Sequence, residues 1–468
     1  MRRLINIIIV VAVVGTAGQA WAIPAFARKY KTSCVTCHTI FPKLTPFGEQ
    51  FRRNGYRFPG IDSDSTKAEP LALGTDEQKK MFPDAGWPGL LSPFPPIAFA
   101  FNGQAIFHPD KNSSAGIADN HAVANLDGLV EEGHLWAAGS IDDSITFYSE
   151  LTVAAGGADL ETAAVFFNDL VGPAHAVNLA VGRRIGTYTS FQNHGSYFAD
   201  LMMPQVPVTA LHGATSDPFV FNDNHNGIEV NGVLGCRFDY SAGFAAGTNF
   251  DARNSANIYG HVGYKFGGAT LDGSETGDVE QDHARHDHVG SEKAVTVDAF
   301  AYRSISRFND AGMPGAIPPV DPVLTKNTSL TFGGAVRAQL AELEVDVGLF
   351  FQNDDYVRSV SPSTNTVSQW NEVSYLIHPW LAVGGRVEYL RIMPNGASAV
   401  SDLRIVPGVA ALIRPNLKLT LTAPIEQATG APDAGWGAAG LSAASSDPMN
   451  PNVGVEVEQV QVTMWAAF

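Results

Sequence analysis

From about residue 97 onward, apolar and polar residues alternate with a period of two. In Ile145-Thr146-Phe147-Tyr148-Ser149-Glu150-Leu151-Thr152-Val153 the odd positions are mainly apolar and the even ones mainly polar. A strand with one greasy and one wet face requires that pattern. Similar runs fall at 97–107, 129–139, 159–168, 177–186, 227–240, 256–266, 293–304, 328–339, 342–353, 367–377, 380–391, 402–413, 417–425 and 455–468, which makes about 15 visible strands.

The connections sort into two kinds. Ala341-Glu342, His378-Pro379 and Arg414-Pro415-Asn416 are tight, and they alternate with the long polar loops 354–366, 392–401 and 427–453. Barrels of the bacterial outer membrane are built this way, with short periplasmic turns and longer outer loops. The last strand alternates up to the terminal Phe468, as the closing strand of such barrels does. If both barrel ends face the periplasm the strand count is even, so an all-β, porin-like transmembrane barrel of about 16 antiparallel strands is expected over residues 91–468. Counted back from Phe468, the acidic, His-rich loop 267–292 falls on the periplasmic side. A loop that long is unexpected there, which points to a strand miscounted upstream.

The front of the chain reads differently. Arg2 and Arg3, the apolar run Ile7 to Val14 and Ala20-Trp21-Ala22 form a secretory signal with an A-x-A cleavage pattern. The expected division is therefore a signal peptide at 1–22, a small, mostly helical or irregular domain at 23–90, and the barrel at 91–468. Within the small domain, Phe41 to Tyr56 reads as a short helix ending at Gly55, with Phe47 and Phe51 on one face. Pro83 to Pro96 reads as a linker.

Composition agrees with a large β structure. Charged residues make up 16%, hydrophobic residues 45%, and 46 residues are Gly, yet no mature segment holds the 18 or so consecutive apolar residues of a spanning helix. Loss of Arg2 and Arg3 with the leader takes the formal charge from −17 to −19. That field disfavours nucleic acid and favours cationic partners, such as a small basic electron carrier or a dissolved metal cation. Three cysteines cannot all pair, so the count points to chemistry instead of a disulfide scaffold.

Cys34-Val35-Thr36-Cys37-His38 is the C-x-x-C-H pattern of covalent c-type haem attachment, and it occurs once. Two thiols three positions apart reach the two vinyl groups on one porphyrin edge. The following histidine is then carried beneath the iron as proximal ligand. Attachment takes place outside the cytoplasm, so leader and motif support each other. For the distal position, Met81 is the sole methionine or histidine of the segment besides His38; a histidine from elsewhere, such as His108 or His134, or an open site, are the other candidates. Asp282-His283-Ala284-Arg285-His286-Asp287-His288 is a candidate metal-binding tract, with a solvated loop as the plainer reading. Cys236 reads as a small buried strand residue.

Residues 24–60 carry a resemblance. Pro24-Ala25-Phe26-Ala27-Arg28-Lys29-Tyr30, the haem motif, Phe47-Gly48 and Asn54-Gly55-Tyr56 are similar to the N-terminal signature of the fused outer-membrane monohaem cytochrome–porins of iron-oxidising bacteria. The resemblance implies one haem c on Cys34 and Cys37 with His38 as proximal iron ligand. It also implies Fe(II):cytochrome c oxidoreductase-type activity at the outer membrane: extracellular Fe(II) is oxidised and the electron passes to a periplasmic c-type cytochrome. The small domain is expected to plug the barrel lumen. Electron transfer with another extracellular donor or acceptor, a diffusion porin with an appended haem domain, and an enzyme reacting with peroxide at an open iron site are the alternatives.

Overall fold

The computed structural model describes residues 25–30, 32–58, 75–83, 97–108, 123–126, 132–141, 144–154, 156–189, 198, 224–246, 255–274, 292–310, 323–357, 363–395, 399–414, 416–429, 456–457 and 460–467. The leader at 1–22, the linker beyond Pro83, the outer part of loop 427–453 and the tract containing His283, His286 and His288 lie outside the described residues.

Nineteen hydrogen-bonded segments form one antiparallel sheet, and three of its staves consist of two segments each, so the wall has 16 staves. In chain order they are β1 (Ile97–His108), β2 (Val123–Asn125 with Glu132–Ser140), β3 (Ile145–Ala154), β4 (Gly157–Phe167), β5 (Asn178–Ile185), β6 (Asn224–Leu234), β7 (Phe238–Ala246) and β8 (Ser255–Gly267). The second half comprises β9 (Lys293–Asp310), β10 (Val323–Leu340), β11 (Leu343–Val357), β12 (Thr364–His378), β13 (Leu381–Pro394), β14 (Val400–Arg414), β15 (Leu417–Thr422 with Ile425–Thr429) and β16 (Glu456–Val457 with Val460–Ala467). Each stave pairs with the next, and β16 pairs with β1 from Ala100 opposite Ala467 to Phe107 opposite Val460. The sheet is closed, and no edge is left to aggregate.

Alternation decides which way each side chain faces. Along β12, Trp370, Glu372, Ser374 and Leu376 are buried, while Val373, Tyr375 and Ile377 stand exposed. The same parity runs around the wall. Outward positions are greasy (Ile228, Ile258, Val262, Phe332, Val409), and many inward ones are polar (Glu229, Asp239, Asp298, Glu344, Arg386). Apolar outside and polar inside is the arrangement of a membrane-spanning barrel.

The run at 227–240 is two strands, β6 and β7, joined by a tight turn at Gly235-Cys236-Arg237. Gly235 and Cys236 both have positive φ, 55° and 65°, so Cys236 lies in a turn and is only half-buried, not a buried strand residue. Restoring this strand gives the even count of 16. It does not move the His-rich connection, because β7 precedes it: the chain between β8 and β9 leaves from the end of the wall where β1 starts and β16 finishes. The pairs β10–β11, β12–β13 and β14–β15 are joined at that terminus end, whereas β11–β12, β13–β14 and β15–β16 are joined at the other.

Ahead of the barrel come α1 (Ala25–Tyr30), a 3-10 turn (Cys34–Thr36), α2 (Pro46–Arg53) and α3 (Asp76–Met81). Helix α2 starts later than the expected Phe41, because Pro46 is tolerated only in the first turn and Thr45 caps it, its hydroxyl accepting from Gly48 N at 3.1 Å. It ends as expected: Gly55 follows in the left-handed region with φ 68°, the usual glycine stop. This segment packs on inward side chains near the terminus end. Arg53 pairs with Asp239, Lys43 with Glu344, and Arg57 Nη2 with Asp169 Oδ2 at 2.7 Å. Gln50 Nε2 donates to the carbonyl of Thr270 at 2.7 Å. Tyr56 stacks on Tyr148 with ring centroids 5.2 Å apart.

Candidate cofactor site

The haem motif forms a single tight turn. Cys37 N and His38 N both donate to the carbonyl of Cys34, at 3.2 and 3.0 Å. Residues three and four apart on such a turn share one face, so Cys34, Cys37 and His38 line one cavity. The two cysteines are free thiols. Helix α2 is strapped to the turn by Thr45, whose N donates to Cys37 O at 2.9 Å and whose hydroxyl donates to Thr36 O at 2.8 Å. Its Gly48 lies directly against the Cys37 carbonyl, where a Cβ would overlap that oxygen and crowd Leu44 Cδ2 at 3.0 Å.

His38 Nδ1 is 3.3 Å from the carbonyl oxygen of Pro42. A carbonyl can only accept, so Nδ1 carries the proton and Nε2 is the nitrogen left for a metal. Burial holds the His38 imidazole well below its ordinary pKa, at about 4, and a neutral ring is the ligating form. Burial, reinforced by the neighbouring Cys34, pushes the Cys37 thiol up to about 12. Burial also raises Cys34.

The cavity has a volume of about 600 Å³, within the range of cofactor sites. One side is the N-terminal segment, with Phe26, Tyr30, Phe51 and Phe58; the other is the inner barrel wall, with His134, Trp136, Glu150, Arg184 and Trp465. Phe51 lines the cavity and packs on Phe26 at 4.9 Å, whereas Phe47 turns to Phe58 at 5.0 Å. Of the two, only Phe51 lines the cavity.

Of the distal candidates, Met81 on α3 is 69% exposed and does not line the cavity. The side chain of His108 lies outside the described residues. His134 faces inward on β2 and is 6% exposed. Its ring stacks on Trp465 at 5.1 Å, Trp465 meets Phe41 at 5.5 Å, and Phe41 meets His38 at 5.2 Å.

The chain leaving β5 turns inward, and Tyr188, fully buried, packs on Tyr259, Tyr302 and Phe300 at 5.2, 5.7 and 5.9 Å. Farther along the same connection, Phe198 shares a buried cluster with Ile40 of the N-terminal segment and with Val406 and Ala410 of β14. Sequence reading missed Tyr188, Phe198 and the Arg53–Asp239 and Lys43–Glu344 pairs. A usable signal existed for the pairs: cations follow the motif at Lys43, Arg53 and Arg57, and Asp239 and Glu344 sit on the polar parity of their strands. Among the described residues no group of three or more His, Cys, Asp or Glu is arranged to hold a metal ion.

No protein-family model matches the chain, and no curated protein matches it. Among solved structures it is similar to a loop L8 deletion mutant of OmpT, an outer membrane protein of Vibrio cholerae, at a TM-score of 0.50 and 10% identity, covering 80% of this chain and 99% of that one. The fold is a porin-type barrel. An anion-selective porin from Comamonas acidovorans follows at a TM-score of 0.49 and 12% identity, covering 80% of this chain and 99% of that one. At such identities the likeness speaks for the porin-type fold alone.

Proposed function

We propose that this chain is an outer-membrane electron conduit that oxidises extracellular Fe(II) and passes the electron, through one covalently held haem c, to a periplasmic c-type cytochrome. The observation that carries the reading is that Cys34, Cys37 and His38 open onto one cavity whose far side is the inner wall of the barrel. The donor set fits the cofactor: two free thiols at thioether spacing, an imidazole whose Nδ1 is engaged by Pro42, and a pocket of cofactor size. When bound, the haem iron supplies a one-electron step between its ferric and ferrous states.

The greasy outer wall supports placement in a membrane, and the tight turns support a periplasmic terminus end. In that orientation Cys34, Cys37 and His38 sit in the periplasmic half of the lumen as a plug. There the small acceptor cytochrome can approach. Arg53, Lys43 and Arg57 hold the plug on the wall. Phe51, Tyr30 and Trp465 exclude water from the pocket. In this reading the aromatic layer around Tyr188 lies between the pocket and the outer mouth, so electrons cross while the bulk of the lumen stays closed to ions. Each Fe(II) gives up one electron and leaves as Fe(III) outside the cell, which keeps the insoluble product out of the periplasm.

Stopped-flow mixing of Fe(II) with the purified oxidised protein tests the proposal. The ferrous haem spectrum should appear in proportion to the Fe(II) added. A haem that dithionite reduces and Fe(II) does not would overturn it.

A further inference from the structure

We infer that the barrel wall itself completes the cofactor site: His134 of β2 supplies the sixth ligand to the iron through Nε2. The inference rests on the haem reading above. It stands on how the ring is held. His134 Nδ1 is 3.0 Å from Thr152 Oγ1 and 3.2 Å from Glu150 Oε1. A carboxylate only accepts, so Nδ1 carries the proton and the lone pair is on Nε2. That nitrogen is buried and makes no hydrogen bond; the group next to it is Glu132 Oε2, 3.6 Å away, an oxygen that cannot donate to a lone pair.

A buried imidazole with a lone pair and no donor is an unsatisfied acceptor, which is costly unless a Lewis acid meets it. His134 and His38 thus share one design. Both line the same cavity, both have Nδ1 held by an oxygen acceptor, and both have Nε2 left for the iron. Such outer hydrogen bonds are what orient metal-ligating histidines. Stacking on Trp465 at 5.1 Å and on Trp136 at 5.9 Å fixes the plane of the ring. Met81 offers none of this, being exposed and not lining the pocket. A ligand on the wall would also make barrel closure and haem coordination interdependent, since the proximal ligand comes from the N-terminal segment and the distal one from a stave.

The test uses the full-length holoprotein with covalent haem verified by pyridine haemochrome. Wild type should give a low-spin, bis-imidazole electron paramagnetic resonance signal and no methionine–iron charge-transfer band. His134→Ala should turn high-spin, and free imidazole should restore the low-spin signal, binding the variant at least tenfold more tightly than wild type. Met81→Ala should leave the spectrum unchanged. Should His134→Ala not fold, Thr152→Val removes one Nδ1 partner from a correctly folded barrel and should shift the g-values. Covalent haem that stays low-spin in His134→Ala, an unmoved signal in Thr152→Val, or a high-spin signal in Met81→Ala would each overturn the assignment while leaving the haem reading intact. Wild-type protein matured without covalent haem would overturn both.

Discussion

Gly48 of α2 rests against the backbone carbonyl of Cys37, so close that a Cβ at that position would overlap the oxygen. The obstacle is backbone, not the end of a flexible side chain, and the Thr45 N to Cys37 O bond of 2.9 Å holds the two pieces together. Nothing nearby can yield. Helix α2 and the turn from Cys34 to His38 are therefore in register only if residue 48 has no side chain.

Gly48→Ala should force α2 away from the turn, at a cost of about 1–3 kcal/mol for overpacking. The expected outcome is a several-fold lower yield of covalent haem per barrel, measured by pyridine haemochrome against total folded protein. Gly156→Ala between β3 and β4, where nothing lies within 4 Å of the added atom and φ is not positive, controls for barrel assembly and should leave haem occupancy unchanged.

Arg53 and Asp239 are 9% and 3% exposed at their side chains. Removing one partner of a buried pair costs about 3–5 kcal/mol. Here Asp239 also faces His261 Nδ1 at 3.7 Å, which softens the loss. Arg53→Met should loosen the N-terminal segment while the wall persists. Limited proteolysis of the folded protein should then cut after Arg52 or Arg57 several-fold faster than in wild type, with the barrel still heat-modifiable on gels.

Much of the wall was legible in the chain because a strand with two different solvents on its faces must alternate, and nothing else alternates for so long. The strand that escaped notice, Phe238 to Ala246, follows a turn made by Gly235 and Cys236, both at positive φ. Two-residue turns of this kind usually announce themselves as Asn-Gly or Asp-Gly; Gly-Cys-Arg carries no such mark. The turn from Cys34 to His38 stood out in the chain because its spacing is that of covalent haem attachment. Its surroundings did not, since the inward neighbours of Cys34 come from β2, β3, β5 and β16, far apart in sequence. That His134 faces the same cavity as His38, and that Phe198 reaches Ile40, follow only once the sheet is closed.

Tyr188 is fully buried within an aromatic layer inside the barrel, and its ring contacts Tyr259, Tyr302 and Phe300. Replacing it by Ala removes the central ring of that layer and opens a water-accessible gap. In planar bilayers wild type should conduct poorly, and Tyr188→Ala should raise single-channel conductance several-fold without altering the haem spectrum. A large, steady conductance in wild type would count for an open pore.

The segment joining β4 to β5 carries a pH-sensitive contact. Burial opposes ionisation of Asp169, but a hydrogen bond from Arg57 and one from His175 N at 2.6 Å hold its carboxyl below the usual 3.8. Burial likewise holds His175 below its usual 6.5. Both groups bind protons more readily in the unfolded chain, so stability falls as pH drops. The loss begins below about pH 6.5 as His175 titrates and deepens below about pH 4 as Asp169 does. Thermal unfolding followed by circular dichroism should show this decline, and Asp169→Asn should flatten its acid limb.

In the proposed function, electrons cross the barrel in one direction through a haem c on Cys34, Cys37 and His38. The direct measurement reconstitutes the holoprotein in sealed lipid vesicles with a soluble c-type cytochrome trapped inside, and adds outside an Fe(II) chelate too bulky to enter the lumen. The account predicts reduction of the trapped cytochrome, lost when Cys34 and Cys37 are both replaced by Ala in a barrel that still inserts. No reduction by the holoprotein, or equal reduction by the haem-less barrel, would contradict it.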